Sequence, residues 1–187
     1  MTTIVLFHSA QGLRPGVHVF ADQLRAAGHT VHTPDFFDGN VFDDLADGVA
    51  YRDQLGIPEI ALRGQAAVEG LPNDVVYGGF SLGTGPAQLL AQTRPGAEGA
   101  LLFHGCLPTA AFGTPWPESV PVAVHTMADD PWVDLNVARG LVDEAKDGEL
   151  FTYPGSGHLF LDPDLADYDK NAAELVLERV LAFIGRL

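Results

Sequence analysis

The chain has 187 residues, with 10 Lys and Arg against 25 Asp and Glu, for a formal net charge of −15. That length suits one domain with a full apolar core, and 47% hydrophobic against 19% charged residues is a globular composition rather than a disordered one. The acidic excess argues against nucleic acid and against anionic membranes as partners, because both require a basic surface.

The first nine residues, Met1 to Ser9, place no basic group before an apolar run that is too short for a signal peptide or a membrane span. Cys106 is the only cysteine, so no intrachain disulfide can form, which is compatible with a reducing compartment. A single cytoplasmic domain over residues 1–187 is expected.

Short β-rich runs alternate with amphipathic stretches. Ile4 to Phe7 is a continuous apolar run, as in a strand buried on both faces. Pro15 to Ala27 reads as a helix with Val17, Phe20, Leu24 and Ala27 on one face, stopped by Gly28. Thr30 to Thr33 is a second strand. Asn40 to Gln54 and Pro58 to Glu69 read as two helices, broken at Gly56-Ile57-Pro58. Asp74 to Phe80 is a third strand, followed by a helix over Leu82 to Gln92. Ala100 to His104 and Val122 to Thr126 are the fourth and fifth strands. Val133 to Lys146 is a helix, Glu149 to Tyr153 a sixth strand, and Leu165 to Leu187 a long last helix. That helix is expected to present Tyr168, Ala172, Leu175, Val176, Val180, Phe183 and Ile184 on one face. Such alternation implies an α/β fold: a mostly parallel sheet of about six strands, with helices on both faces and ligands at the carboxyl ends of the strands.

Three segments at those ends carry chemistry. Gly79-Phe80-Ser81-Leu82-Gly83 matches G-x-S-x-G between a strand and a helix, the setting in which a tight turn lifts a serine hydroxyl above the sheet. Read blandly, it is a glycine-rich turn with Ser81 as an N-cap. A serine nucleophile needs a base, and the base an orienting acid; on this fold the chain order is Ser, acid, His. After the fifth strand come Asp129 and Asp130, and after the sixth comes Gly157-His158. The expected catalytic residues are Ser81, Asp130 and His158, with Asp129 open as the alternative acid and helix capping as the bland reading of both aspartates. The N–H groups of Leu82 and Ala10 are the expected oxyanion hole, with Ser9 and Gln11 as neighbours of Ala10.

Among the other histidines, His8 and His104 end strands and could line the same pocket, His125 reads as a core residue, and His18, His29 and His32 as surface or strand residues. A metal site from His8, His104, His158 and Asp130 has no paired spacing behind it, and no metal or cofactor is expected. Phe36, Phe37, Phe112, Trp116, Trp132 and Phe160 are candidates for an acyl pocket or for packing, and Cys106 reads as a small buried hydrophobe. Asp35, Asp38, Asp43, Asp44 and Asp47 read as caps and solvated surface.

These segments resemble the dienelactone hydrolase family of the α/β-hydrolase superfamily. The resemblance runs through His8 to Gly12, Pro15-Gly16-Val17, Ala26 to Val31, Pro34-Asp35-Phe36, the Ser81 turn, Asp129 to Val133 and Gly157 to Phe160. It implies a compact hydrolase without a cap domain that cleaves small esters or lactones through an acyl-enzyme. Dienelactone-cleaving members carry cysteine where this chain has Ser81, a glutamate in the early loop where it has Ser9, and an arginine where it has Asp162. The departures favour a neutral ester, lactone or thioester as substrate. Rival readings are a thioesterase or acyltransferase with the same three residues, and a non-catalytic binding protein on the same fold. A small molecule is the expected partner, and a homodimer is compatible with the sequence.

Overall fold

The computed structural model describes residues 1–187. Six strands form one fully parallel sheet: β1 (Thr3–Phe7), β2 (Thr30–His32), β3 (Val75–Phe80), β4 (Gly99–Phe103), β5 (Val122–Met127) and β6 (Gly148–Tyr153). Their order across the sheet is β2-β1-β3-β4-β5-β6. The chain runs outward from β1 to β2, then returns to the other side of β1 and continues from β3. A crevice at the carboxyl ends of β1 and β3 follows from that reversal.

Six helices cover the sheet: α1 (Pro15–Ala26), α2 (Leu45–Leu55), α3 (Ile57–Ala66), α4 (Thr84–Thr93), α5 (Leu135–Glu144) and α6 (Lys170–Ile184). Side chains alternate across the strands, so each face buries its own set. Ile4, Leu6, Leu101 and Phe103 pack with α1 and α6. Val5, Phe7, Leu102 and Val124 pack with α3, α4 and α5. This is the doubly covered sheet that the apolar runs require. Burial of each large side chain in it is worth roughly 1.5–3 kcal/mol.

The structure moves several expected boundaries. The helix expected from Asn40 begins at Leu45, because the Asp44 carboxylate accepts from the Ala46 N–H and caps it there. The last helix begins at Lys170 rather than Leu165. Asp162, Pro163 and Asp164 form turns, and the Asp169 carboxylate caps α6 through the Ala172 N–H. Tyr168 therefore precedes α6, and both it and Leu175 are exposed, while Ala172, Val176, Val180, Phe183 and Ile184 form the buried face. Ala27 likewise falls outside α1 and is exposed; Ala21 takes its place under Phe20 and Leu24. No helix is long and apolar enough to cross a membrane.

Candidate active site

Ser81 leaves the carboxyl end of β3 in the left-handed region, at φ 52°. That conformation costs a residue with a side chain roughly 1–2 kcal/mol, and the two flanking glycines make the turn sterically possible. A Cβ on Gly79 would collide with the Gly83 carbonyl, and one on Gly83 with the Phe7 and His8 carbonyls at the end of β1. A single 3-10 turn, Ser81–Gly83, then leads into α4. The Thr84 hydroxyl donates to the Ser81 carbonyl at 2.6 Å and fastens that turn.

The Ser81 hydroxyl lies 2.7 Å from His158 Nε2. On the other side of the ring, His158 Nδ1 lies 2.7 Å from Asp130 Oδ2. Both residues are buried. A carboxylate can only accept, so the proton sits on Nδ1, and Nε2 is left to accept from the serine hydroxyl. The second Asp130 oxygen accepts from the Trp132 N–H at 2.9 Å, which fixes the carboxylate's orientation. Asp129 is exposed; its N–H donates to the Gly155 carbonyl at 3.0 Å and ties the acid loop to the histidine loop. Of the two aspartates, Asp130 is the one at the imidazole.

The histidine loop is anchored from outside the segments singled out in the sequence. Asp167 Oδ2 accepts from the N–H groups of His158, at 2.9 Å, and Leu159, at 3.4 Å. Nothing in the sequence distinguished Asp167 from the other acids around it. Reading residues 165–169 as helix hid its position in the turn that precedes α6.

Ser81, Leu82 and His158 open on a cleft of about 980 Å³, including space open to solvent. Its wall is mostly apolar, built from Ile57, Ile60 and Ala61 of α3, Pro86 and Leu89 of α4, and Leu107. None of these was legible as a site residue, because their i, i+3, i+4 spacing on α3 also describes a core face. Ile57 and Leu107 nevertheless stay exposed at the mouth. Ala10 is buried outside the cleft wall, and its N–H finds no acceptor in the protein.

Of the aromatic candidates, Phe112 and Trp132 line the cleft. Trp132 is 59% exposed, and its ring centroid lies 5.7 Å from that of His158. Phe36, Phe37, Trp116 and Phe160 are instead core residues; Phe36 stacks on His8 at 3.8 Å, and the Trp116 indole N–H donates to the Val120 carbonyl. Cys106 is half-buried in the cleft wall rather than in the core. Desolvation, with Asp134 adding to it, pushes its thiol up to about 12, so it is not a thiolate near neutrality.

The histidines divide by environment. His8 is turned away from the cleft: its Nδ1 contacts the Ser9 carbonyl, and its Nε2 accepts from the Phe36 N–H. His125 is wholly buried, with Nδ1 on the Tyr153 hydroxyl at 2.8 Å, as its place inside a strand suggested. His104 lines the cleft beside His158. No three His, Cys, Asp or Glu side chains converge as metal ligands. The early acids have structural partners: Asp35 accepts from the N–H groups of Phe37 and Gly39, Asp38 pairs with Arg63, and Asp43 with Arg14. Arg14 also holds Asp162, at 3.1 Å.

Comparison with known proteins agrees with this architecture. The model of the dienelactone hydrolase family matches residues 1–187. A predicted carboxymethylenebutenolidase of Saccharolobus solfataricus is 31% identical over 116 residues; the match spans 60% of this chain and less than half of that protein, 44%. A dienelactone hydrolase-like promiscuous phosphotriesterase from metagenomic libraries superposes with a TM-score of 0.81 at 23% identity, covering 100% of this chain and 87% of that one. A thermophilic esterase of Thermogutta terrifontis, with propionate bound, superposes with a TM-score of 0.74 at 17% identity, over 99% of this chain and 83% of its own. At these identities the two structures speak to the fold alone.

Proposed function

The chain belongs to the dienelactone hydrolase family, and on that premise we propose that it is a single-domain serine hydrolase that cleaves small neutral esters or lactones. The observation that carries the reading is the unbroken relay from Ser81 Oγ through His158 to Asp130, with both links at 2.7 Å.

In the first step, Ser81 Oγ attacks the carbonyl carbon and its proton passes to His158 Nε2. Asp130 holds the ring's orientation and stabilises the imidazolium. The N–H groups assigned to the developing oxyanion are those of Leu82, in the cleft wall, and of Ala10, which has no acceptor in the protein. The tetrahedral intermediate collapses, the C–O bond to the leaving alcohol breaks, and that oxygen takes the proton from His158. Water then enters, gives its proton to the same nitrogen, and attacks the acyl carbon. Collapse returns the proton to Ser81 and releases the carboxylic acid.

The apolar cleft wall favours an uncharged substrate, and the net charge of −15 disfavours an anionic one. The distance between hydroxyl and imidazole supports catalysis over a purely binding role. A fluorophosphonate probe should label the native protein and leave Ser81→Ala unlabelled. The same variant should lose ester hydrolysis by about four to six orders of magnitude in kcat. An alanine variant that keeps its labelling or its turnover would remove Ser81 from the reaction.

A further inference from the structure

His104 occupies a position that the proposed chemistry does not use. β3 and β4 run in register with Phe80 opposite Phe103, so the next residue on each strand, Ser81 and His104, leaves the sheet side by side. Both do so in the left-handed region, at φ 52° and φ 66°. Adjacent strand ends therefore carry two side chains in costly backbone conformations, an arrangement that persists where the surroundings hold it in place. The His104 N–H donates to the His125 carbonyl at 2.8 Å, which secures the turn.

His104 is 4% exposed, and its Nδ1 is enclosed with no partner in the protein; Nε2 makes no hydrogen bond within the protein but is not enclosed. Its ring neighbours offer none, and the polar side chains of Ser9, Arg14 and Asp162 border a second small cavity that His104 also lines. Phe160 meets the ring edge-on at 4.8 Å, Phe80 lies at 6.0 Å, and the His158 ring is 5.8 Å away with both nitrogens engaged. Burial, with His158 and His125 nearby, holds the ring neutral. A neutral imidazole carries one N–H and one lone pair; leaving the enclosed Nδ1 unmet is expensive, and Nε2 is the nitrogen open to a ligand. The ring also forms part of the cleft wall beside Ser81.

We infer that His104 is a substrate-recognition residue that hydrogen-bonds an oxygen function next to the scissile carbonyl, so that the cleft selects α-hydroxy esters over their alkyl counterparts. Neighbouring strands lie about 4.8 Å apart, so an acyl group on Ser81 brings its α-substituent, one bond from the carbonyl carbon, towards the His104 ring. A hydroxyl suits either tautomer, because it can both donate and accept.

The inference rests on the serine-hydrolase reading, and the test separates the two. Phenyl lactate and phenyl isobutyrate differ by a hydroxyl in place of a methyl group. The ratio of their kcat/KM values is measured for the native protein, His104→Phe and His104→Asn. Asparagine tolerates the left-handed backbone but is too short to keep the contact, so it covers the case in which phenylalanine does not fold. Fluorophosphonate labelling of Ser81 at the native rate identifies the variants whose reacting groups are intact. The expected result is a lactate-to-isobutyrate ratio that falls about tenfold to a hundredfold in such a variant, through lactate alone, with isobutyrate changed less than about threefold. A ratio that stays put in a labelled variant, or a parallel loss on both esters, overturns the role of His104. A native protein that the probe does not label overturns the hydrolase reading itself, and this inference with it.

Discussion

Asp129 and Asp130 are adjacent, identical in chemistry and opposite in environment. The Ala128 N–H donates to the Tyr153 carbonyl and the Asp129 N–H to the Gly155 carbonyl, so the chain after β5 continues to follow β6 for two more residues. That attachment leaves the Asp129 side chain in solvent and brings Asp130 against His158. Asp130→Asn replaces an acceptor with an amide that can present N–H to Nδ1, which favours the wrong tautomer; kcat should fall by roughly four orders of magnitude. Asp129→Asn should leave kcat within about twofold, because its tie to the histidine loop is through the backbone. Steady-state kinetics on one activated ester distinguishes the two, and equal losses would contradict the assignment. The order Ser81, acid, His158 was legible because each residue follows a strand, and strand ends share one rim. The choice between neighbouring acids was not, since it depends on how far the β5–β6 pairing extends. The unpartnered Nδ1 of His104 was equally hidden: a sequence does not say which buried polar atoms lack a partner.

At the level of elements, the strands were read nearly to the residue, and the largest errors lie at two helix starts. The two most displaced starts, Leu45 and Lys170, lie in acid-rich stretches where several residues could cap. The side chain that finds a free N–H decides, and that is set by the path of the incoming loop. In the second case the displacement matters for the site. Because α6 waits until Lys170, Asp167 is free to accept from the His158 and Leu159 N–H groups. Asp167→Ala should strand those two donors, cost about 1–3 kcal/mol of stability, and lower kcat by roughly tenfold through a looser imidazole. Fluorophosphonate labelling should continue at a reduced rate, since Ser81 and Asp130 are untouched. Thermal melts and labelling rates check both halves. A native melting temperature combined with native kinetics would mean that the loop is held by other contacts.

For the molecule as a whole, acid pH sets two effects against each other. A charge of −15 repels itself, and protonating carboxylates relieves that repulsion as pH falls. The buried histidines act in the opposite direction. Desolvation lowers His8 from its ordinary 6.5 to about 4, against smaller raising contributions from the Ser9 carbonyl and Asp35. Burial, with Arg179 adding to it, lowers His125 to about 3, and His104 is shifted the same way. An imidazole with a depressed folded pKa takes up a proton more readily once the chain opens. The stability gained by keeping it neutral is complete above pH 6.5 and is lost as pH falls towards the folded value. At pH 5 the loss from His8 and from His125 is about 2 kcal/mol each. An ordinary carboxyl group titrates near pH 4, about a unit lower, so relief of repulsion comes later in the descent. The melting temperature should therefore drop between pH 7 and pH 5, by about 10 °C for a chain of this size. His125→Phe keeps a ring between Phe103 and Phe151 but gives up the Tyr153 hydrogen bond. It should melt lower at pH 7 and lose less on acidification, because one of the titrating groups is gone. Scanning calorimetry of both proteins at the two pH values reads the difference in slope. A native melting temperature that holds or rises down to pH 5 would mean that relief of the acidic surface outweighs the buried imidazoles.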